Sequence, residues 1–381
     1  MDFDYVVIPA LILLLAILVI CLSIHRILSL GGKSYRMGRK VAELIALSFV
    51  VLLAIEVALS SSYNAVAIHS FRAHNPPAGS FYTVNGHRMH MVCTGSGSPT
   101  LVLDAGLGND ALIWGAVQPE LSRTTQVCAY DRAGFGWSQA QPAPRDADHI
   151  AVELHELLAQ AKVTGPIVLM GHSIAGLYLR DYAARYPAEV AGLVFVDASS
   201  PAQFDSASFK ASRKGPPQWA GSYLVMRAAF IAGIPRLMGQ CTRPMPGFDA
   251  HAALLLTEDM CHQQVGAMIA EVDSLEQSVR ETVPTGPYGA LPILVFSHDP
   301  ARYLPRQNPP RWMVTGQDEW SRMQEDLAGL STRGRRIVAK SSTHNIQLDR
   351  PDLLNKEVPL FIEQIRGTAP QPTNYGLTIT E

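Results

Sequence analysis

A surplus of charge of either sign is missing from this chain of 381 residues: 31 Lys and Arg face 33 Asp and Glu, a formal net charge of −2. No bulk attraction to nucleic acid follows from such a balance. Internal repeats are missing too, as is any low-complexity tract beyond short Pro/Gly clusters. Cysteine is scarce, with five residues, and Cys241, His251, Cys261 and His262 lack the regular spacing of a zinc site. No metal and no organic cofactor is expected. Residues 5–24 contain no charge, and what precedes them is acidic (Asp2, Asp4), the wrong flank for a signal peptide.

Hydrophobic residues make up 48% of the chain, an ordinary share unevenly spread, with much of the excess in the first 60 residues. The uncharged run 5–24 is long enough to cross a bilayer core. A basic loop follows (Arg26, Lys33, Arg36, Arg39, Lys40), then a second apolar stretch over about 41–68, interrupted by Glu43 and Glu56. This stretch is read as a second span; an interfacial helix, or a signal-like segment cut near Ala58-Leu59-Ser60, are the alternatives. Five basic residues between two spans place that loop in the cytoplasm, and the rest of the chain on the extracytoplasmic side. Residues 1–68 are thus expected to be a multi-pass membrane anchor, and 69–79, with Asn75-Pro76-Pro77, a linker.

Beyond residue 80 the patterning changes. Alternating runs 80–84 and 87–93 flank Asn85-Gly86, a strong two-residue hairpin signal. His87 and His90, three apart, face opposite sides of such a strand and do not form a metal pair. Residues 99–104 read as a buried strand ending in Asp104-Ala105-Gly106-Leu107-Gly108, where glycine lets backbone approach a ligand closely. The spacing predicts an amphipathic helix over 110–121, a strand over 126–130 closed by Asp131-Arg132, and a helix over 146–161. Strands follow at 190–196, closed by Asp197, at 291–297 and at 336–340, then a last helix over 351–366. Strands alternating with helices imply an α/β fold with a mostly parallel sheet covered on both faces. From 201 to 290 the strand rhythm stops; Met, Ala and Phe with helical patches at 223–232, 250–260 and 264–280 suggest an inserted helical cap. The core is then 80–200 and 291–367, and the tail 368–381 is expected to be disordered.

One stretch organises the rest. Pro166-Ile167-Val168-Leu169-Met170-Gly171-His172-Ser173-Ile174-Ala175-Gly176-Leu177 is an apolar strand that breaks at a glycine, presents one serine and enters a helix over 174–185. Gly171 and Ala175 are small where strand and helix close up. Such a strand–turn–helix thrusts the hydroxyl out of the sheet and leaves the Ile174 N–H at a helix start, aimed at a developing anion.

With Asp104–Gly108, Tyr130–Ser138, this elbow and Ser342-Thr343-His344-Asn345-Ile346-Gln347-Leu348 in that order, the chain resembles an α/β-hydrolase-fold enzyme over residues 80–367. The resemblance implies the order Ser, acid, His along the chain. Ser173 is then the nucleophile and His344 the base; Asp299, after the strand 291–297, is the expected acid, with Asp197 as the alternative position. The segment around Asp299 is about one residue shorter than usual, and Pro300 stiffens it. Oxyanion donors would be the N–H groups of Leu107 and Ile174. Ala105 stands where many relatives have histidine, and Ala175 replaces the usual second glycine. Asp131 and Arg132 resemble a pair that packs beneath the active site as a salt bridge or turn anchor. Dehalogenases and epoxide hydrolases of this fold carry aspartate at the elbow, and Ser173 argues against both.

The implied function is a membrane-anchored serine hydrolase acting on an ester or related acyl compound. Acyl transfer through the same intermediate, or a catalytically silent binding protein on this fold, are the other readings. Expected partners are a small-molecule acyl substrate and the membrane. Trp219, Tyr223, Met226, Phe230 and Met238 either line an acyl pocket or pack the cap core. In this fold the second strand lies antiparallel beside the fourth, which can set Cys93 opposite Cys128; Cys241 and Cys261 form a second possible bridge, and four buried thiols are the alternative.

Overall fold

The computed structural model describes residues 3–30, 37–206, 218–242, 250–259, 262, 265–305, 307–373, 375–376 and 378–381. The chain divides into two compact units. One comprises Met1–Pro76, Trp219–Met245 and Ala253–Gly266; the other comprises Pro77–Gln218, Pro246–Ala252 and Ala267–Glu381.

The second unit is built on β1 (Ser80–Val84), β2 (His87–Thr94), β3 (Thr100–Asp104), β4 (Val127–Tyr130), β5 (Ile167–His172), β6 (Val190–Val196), β7 (Ile293–His298), β8 (Gly334–Ala339) and β9 (Thr378–Thr380). Their spatial order is β1-β2-β4-β3-β5-β6-β7-β8-β9. β2 pairs antiparallel with β1 and β4, and the remaining pairs are parallel. Central strands buried on both sides cannot alternate apolar with polar, which is why β3 and β5 are apolar runs with every residue buried. One face, through Val102, Leu169 and Leu193, packs on the helices Ala147–Gln160 and Ala175–Arg185. The other, through Leu101, Val168, Met170 and Val194, packs on the helix Pro351–Arg366. Asn85 (φ 50°) and Gly86 (φ 76°) close the β1–β2 hairpin, and two consecutive positive φ values are what a type I′ turn needs.

Cys93 and Cys128 stand directly opposite in the β2–β4 register and are joined by a disulfide, with 4.0 Å between their Cα atoms. Cys241 is disulfide-bonded as well; Cys261, its expected partner, lies outside the described residues. Cys21 is a free thiol.

Several elements differ from the sequence reading. The helix expected over 110–121 is two short pieces, Ala111–Trp114 and Gln118–Leu121. Pro119 has no N–H and its ring collides with the carbonyl four residues back, so it starts a new helix instead of continuing one. The helix expected over 264–280 is split into Val265–Asp273 and Leu275–Thr282; Ser274 between them accepts the Arg145 N–H at 2.9 Å. The helix Arg311–Gly329 was not anticipated at all. The tail is not structureless throughout: Thr378–Thr380, two β-branched threonines around an isoleucine, adds β9 beside β8, and the Lys340 N–H donates to the Glu381 carbonyl at 2.6 Å.

In the first unit the helices Ile8–Leu30 and Met37–His74 dominate. The stretches Asp4–Leu30 and Met37–His74, of 27 and 38 residues, each contain an 18-residue window of high mean hydropathy, 3.2 and 2.4, and are long and apolar enough to cross a membrane. The second runs on to His74, so much of the expected linker 69–79 is helical; no proline or glycine breaks it before Pro76. The insertion 201–290 is not one body either, because Trp219–Met245 and Ala253–Gly266 cluster with the two long helices and its other residues cluster with the sheet.

Candidate active site

β5 ends at His172, and the chain reverses through Ser173 at φ 55° before the helix Ala175–Arg185 begins. A non-glycine residue in this left-handed region costs roughly 1–3 kcal/mol, so its surroundings must impose the turn. A Cβ on Gly171 would lie 1.9 Å from Leu179 Cδ1 and 2.9 Å from Ala175 Cβ; one on Gly176 would lie 2.4 Å from the Ser199 carbonyl. The need for glycine therefore falls on 171 and 176, and the methyl of Ala175 is fully buried without displacing the turn. The Ser173 carbonyl accepts the N–H groups of Gly176 (3.0 Å) and Ser199 (2.7 Å), which locks the turn to the chain after β6.

That lock brings three side chains into line. His344, on the loop after β8, has Nε2 at 2.9 Å from Ser173 Oγ and Nδ1 at 2.6 Å from Asp197 Oδ2. Asp197 follows β6 at φ 45°, a second left-handed residue, and is completely buried. Its Oδ1 accepts the His298 N–H (3.0 Å) and Trp320 Nε1–H (2.8 Å), and its Oδ2 accepts from His298 Nδ1 (2.8 Å) as well as His344. Burial alone would raise the pKa of this carboxyl, but the hydrogen bonds and charge interactions with His298 and His344 hold it well below the usual carboxylate range. His298 shows the complement: burial works against its charged form, yet its bond to Asp197, with Gln317 Oε1 at 2.7 Å from its other nitrogen, carries its pKa above the ordinary value.

Asp299 is not brought to His344, which corrects the expected placement of the acid. Its Oδ1 accepts the Ala301 N–H and its Oδ2 the Ser341 N–H, both at 2.9 Å, so it caps one turn and ties it to the loop before His344. The short segment before Pro300 is the reason: β7 runs through His298, and the chain turns immediately afterwards. Gln317 and Trp320, on the unanticipated helix Arg311–Gly329, escaped the sequence reading because neither belongs to a motif. A periodic stripe of Trp320, Met323, Gln324, Leu327 and Ala328 after Pro309-Pro310 was the signal available.

The other expected donors lie on either side of the elbow. Ile174 is the N-cap of the elbow helix. Leu107 is half-buried and follows Gly106, where an added Cβ would be 3.3 Å from Ser173 Cβ and 2.6 Å from His172 Nδ1. Arg132 fixes this loop from below: its guanidinium donates to the carbonyls of Ala105 and of Gly106 (3.0 Å), to Asp104 Oδ1 (2.7 Å) and, through two bonds of 2.7 and 3.0 Å, to Glu271. Neighbouring Asp131 accepts the N–H groups of Ala111 and Trp137 and faces His90 Nδ1 at 2.8 Å, the turn anchor its sequence position suggested. His172 tethers the other loop, with Nε2 at 2.9 Å from the His344 carbonyl. Burial, then the nearby charge on His344, lowers its pKa to about 3, so it stays neutral and donates.

Among the described residues no three His, Cys, Asp or Glu side chains are grouped to hold a metal ion. Of the residues singled out for spacing, His262 lies against Tyr5 with ring centroids 4.6 Å apart.

A family model described as "Alpha/beta hydrolase family" matches residues 101–357. The chain belongs to the alpha/beta hydrolase family. Over 84 residues this alpha/beta hydrolase is 49% identical to "Uncharacterized protein C23C11.06c" of Schizosaccharomyces pombe, a match covering 22% of this chain and 16% of that protein. Over 280 residues it is 24% identical to the human "(Lyso)-N-acylphosphatidylethanolamine lipase", covering 70% of this chain and 79% of that one. Among solved structures it is similar to "a membrane phospholipase A, a novel bacterial virulence factor", with a TM-score of 0.56, 21% identity, and coverage of 84% of this chain and 98% of that chain. At that identity the likeness speaks for the fold alone.

Proposed function

We propose that this alpha/beta hydrolase is a membrane-anchored serine hydrolase that cleaves an ester or related acyl bond through an acyl-enzyme on Ser173. The observation that carries the reading is the continuous hydrogen-bonded line from Ser173 Oγ through both nitrogens of His344 to Asp197. His344 Nε2 takes the hydroxyl proton as Oγ attacks the acyl carbonyl, then returns it to the leaving group. Asp197 holds His344 with Nδ1 protonated and balances the imidazolium that forms. It takes the role the sequence reading gave first to Asp299. The N–H groups of Ile174 and Leu107 receive the oxyanion, each such donor being worth about 2.7–4 kcal/mol of barrier. Water then repeats the attack on the acyl-enzyme and frees Ser173.

Two features favour an acyl substrate of lipid character. The long apolar helices Asp4–Leu30 and Met37–His74 suit a bilayer anchor, and the curated relative acting on N-acylphosphatidylethanolamines matches 70% of this chain. The basic residues clustered where the two helices join support an extracytoplasmic hydrolase unit. The test is a fluorophosphonate probe applied to the full chain in membranes. Wild type should be labelled on Ser173, while Ser173→Ala should lose label and turnover with its thermal unfolding unchanged. Undiminished labelling or turnover in a folded Ser173→Ala protein would overturn the assignment. p-Nitrophenyl esters of graded length then rank acyl preference.

A further inference from the structure

Residues 221–238 are inside out for a water-facing segment. On the helix Gln218–Ile231, positions 221, 224, 225 and 228 share one face by helical spacing, and all four are exposed: Gly221, Leu224 (59%), Val225 (71%) and Ala228. The pattern continues past Gly233 with Ile234, Leu237 (64%) and Met238 (63%), again at i, i+3 and i+4. A solvent-facing helix places its charges outward and its apolar stripe inward. Here the only charges in residues 218–242, Arg227 and Arg236, both turn inward. Arg227 Nε donates to Asp4 Oδ2 at 2.9 Å, and Arg236 pairs with Glu258 and donates to Asn64 Oδ1 at 2.9 Å.

The partners of those arginines fix the level at which the segment sits on the two long helices. Asn64 Nδ2 donates to the Phe230 carbonyl at 2.9 Å, Ser60 Oγ donates to the Ala232 carbonyl, and a Cβ on Gly233 would lie 2.9 Å from Asn64 Cβ. Asp4 begins the first apolar stretch, and Ser60 and Asn64 lie in the later half of the second helix. At the other end, Arg26 pairs with Glu43. From the Arg26–Glu43 pair to the level of Asp4 and Asn64, each helix climbs about 21–22 residues, or roughly 32 Å. That is close to the ~30 Å of a bilayer's hydrocarbon core. Glu56 is the one acidic or basic side chain on the second helix between those levels, and it is exposed. An acidic residue costs up to about 2.5–3.5 kcal/mol at a span's centre, against gains of roughly 0.3–0.6 for each Leu, Ile, Val or Phe around it.

We infer that residues 221–238 are a third membrane-contacting element, lying in the interfacial layer of the bilayer with Leu224, Val225, Ile234, Leu237 and Met238 among the acyl chains. The occupant of this apolar face is lipid, because the segment that bears it is bonded to both long helices, through Asp4 on one and Ser60 and Asn64 on the other, at the level where the hydrocarbon ends. The inference rests on those helices being spans, but not on any hydrolase activity.

The test uses the full chain in vesicles of phosphatidylcholine and phosphatidylglycerol. In a Cys21→Ser background, an environment-sensitive fluorophore is attached at Val225→Cys, Leu237→Cys or, as a mid-span control, Ile17→Cys. Lipids carrying a nitroxide high or low on the acyl chain, and aqueous iodide, serve as quenchers. Labels at 225 and 237 should lose most of their emission to the shallow nitroxide and little to iodide, and the label at 17 should respond most to the deep nitroxide. If 17 behaves so while 225 and 237 answer only to iodide, the inference fails and the spans stand. If none of the three responds to lipid nitroxide, spans and inference fall together.

Discussion

A carboxylate that accepts two hydrogen bonds on each oxygen has no lone pair left for water, and every donor it holds competes for the same charge. Asp197 is in that position, shared between His344 and His298 and closed off by Trp320. Replacing it by asparagine puts an amide where His344 Nδ1 needs an acceptor and favours the wrong tautomer, so Asp197→Asn should lower kcat about 10,000-fold. Asp299→Asn keeps one oxygen for its backbone partners and should cost less than about tenfold, the scale of a single neutral hydrogen bond. The opposite ranking in a paired assay would return the acid's role to Asp299. The two buried histidines predict opposite pH dependences of stability. His172 titrates at about 3 in the folded chain and near 6.5 when unfolded. Between those values only the unfolded chain takes up the proton, so stability falls as pH drops through that window. His172→Gln, whose amide can still donate to the His344 carbonyl, should flatten the acid limb of a plot of Tm against pH; an unchanged slope counts against this account. His298 has a raised pKa, so its contribution is complete below about 6.5 and fades as pH rises through the folded value. The Tm deficit of His298→Asn should accordingly be largest in mild acid and narrow toward alkaline pH. A deficit that widens with pH would show that His298 is neutral against Asp197.

Elements meet at Arg132, which stands just after β4 and joins the loop after β3 to Glu271 on the helix Val265–Asp273. Removing one partner of a buried ion pair typically costs about 3–5 kcal/mol, because the other charge stays buried. Arg132→Met should lose that much in urea unfolding of the hydrolase unit, and the Leu107 loop should lose its register. Glu271→Gln removes one charge but leaves one acceptor, and Asp104 still faces the guanidinium, so it should cost less than Arg132→Met; an equal loss would mean that the charge on Glu271 alone holds this junction. The same junction shows what the sequence could and could not disclose. Contiguous apolar runs such as β5, and Gly171-His172-Ser173 at its end, are local signals, and they located both the sheet and the elbow. Which aspartate reaches His344 depends on the twist and register of β6 against β7, a property of neither strand alone. Trp320 and Gln317 act through a helix whose stripe is periodic but carries no motif. The partition of the insertion 201–290 between two units arises from tertiary contacts of Arg227 and Arg236, which in sequence look like ordinary surface arginines.

For the whole molecule, the disulfide and the charge distribution make the same demand. The Cys93–Cys128 bridge closes a separation of 35 residues. By the chain-entropy model that stabilises the fold by roughly 3–4 kcal/mol, provided that the chain folds where thiols oxidise. Arg26, Lys33, Arg36, Arg39 and Lys40 cluster where the two apolar stretches join, and on the proposed reading a junction so basic stays in the cytoplasm. With both stretches spanning, as proposed, the hydrolase unit is expected on the opposite, oxidising side. Alkaline phosphatase, which folds only after export, should be active when fused after Glu381 in a bacterial host, and green fluorescent protein fused there should stay dark. The same preparation should show Cys93 and Cys128 resistant to alkylation until reductant is added. A fluorescent fusion with both thiols freely alkylated would reverse the orientation. An active phosphatase fusion with free thiols would keep the orientation and remove the bridge from the stability argument.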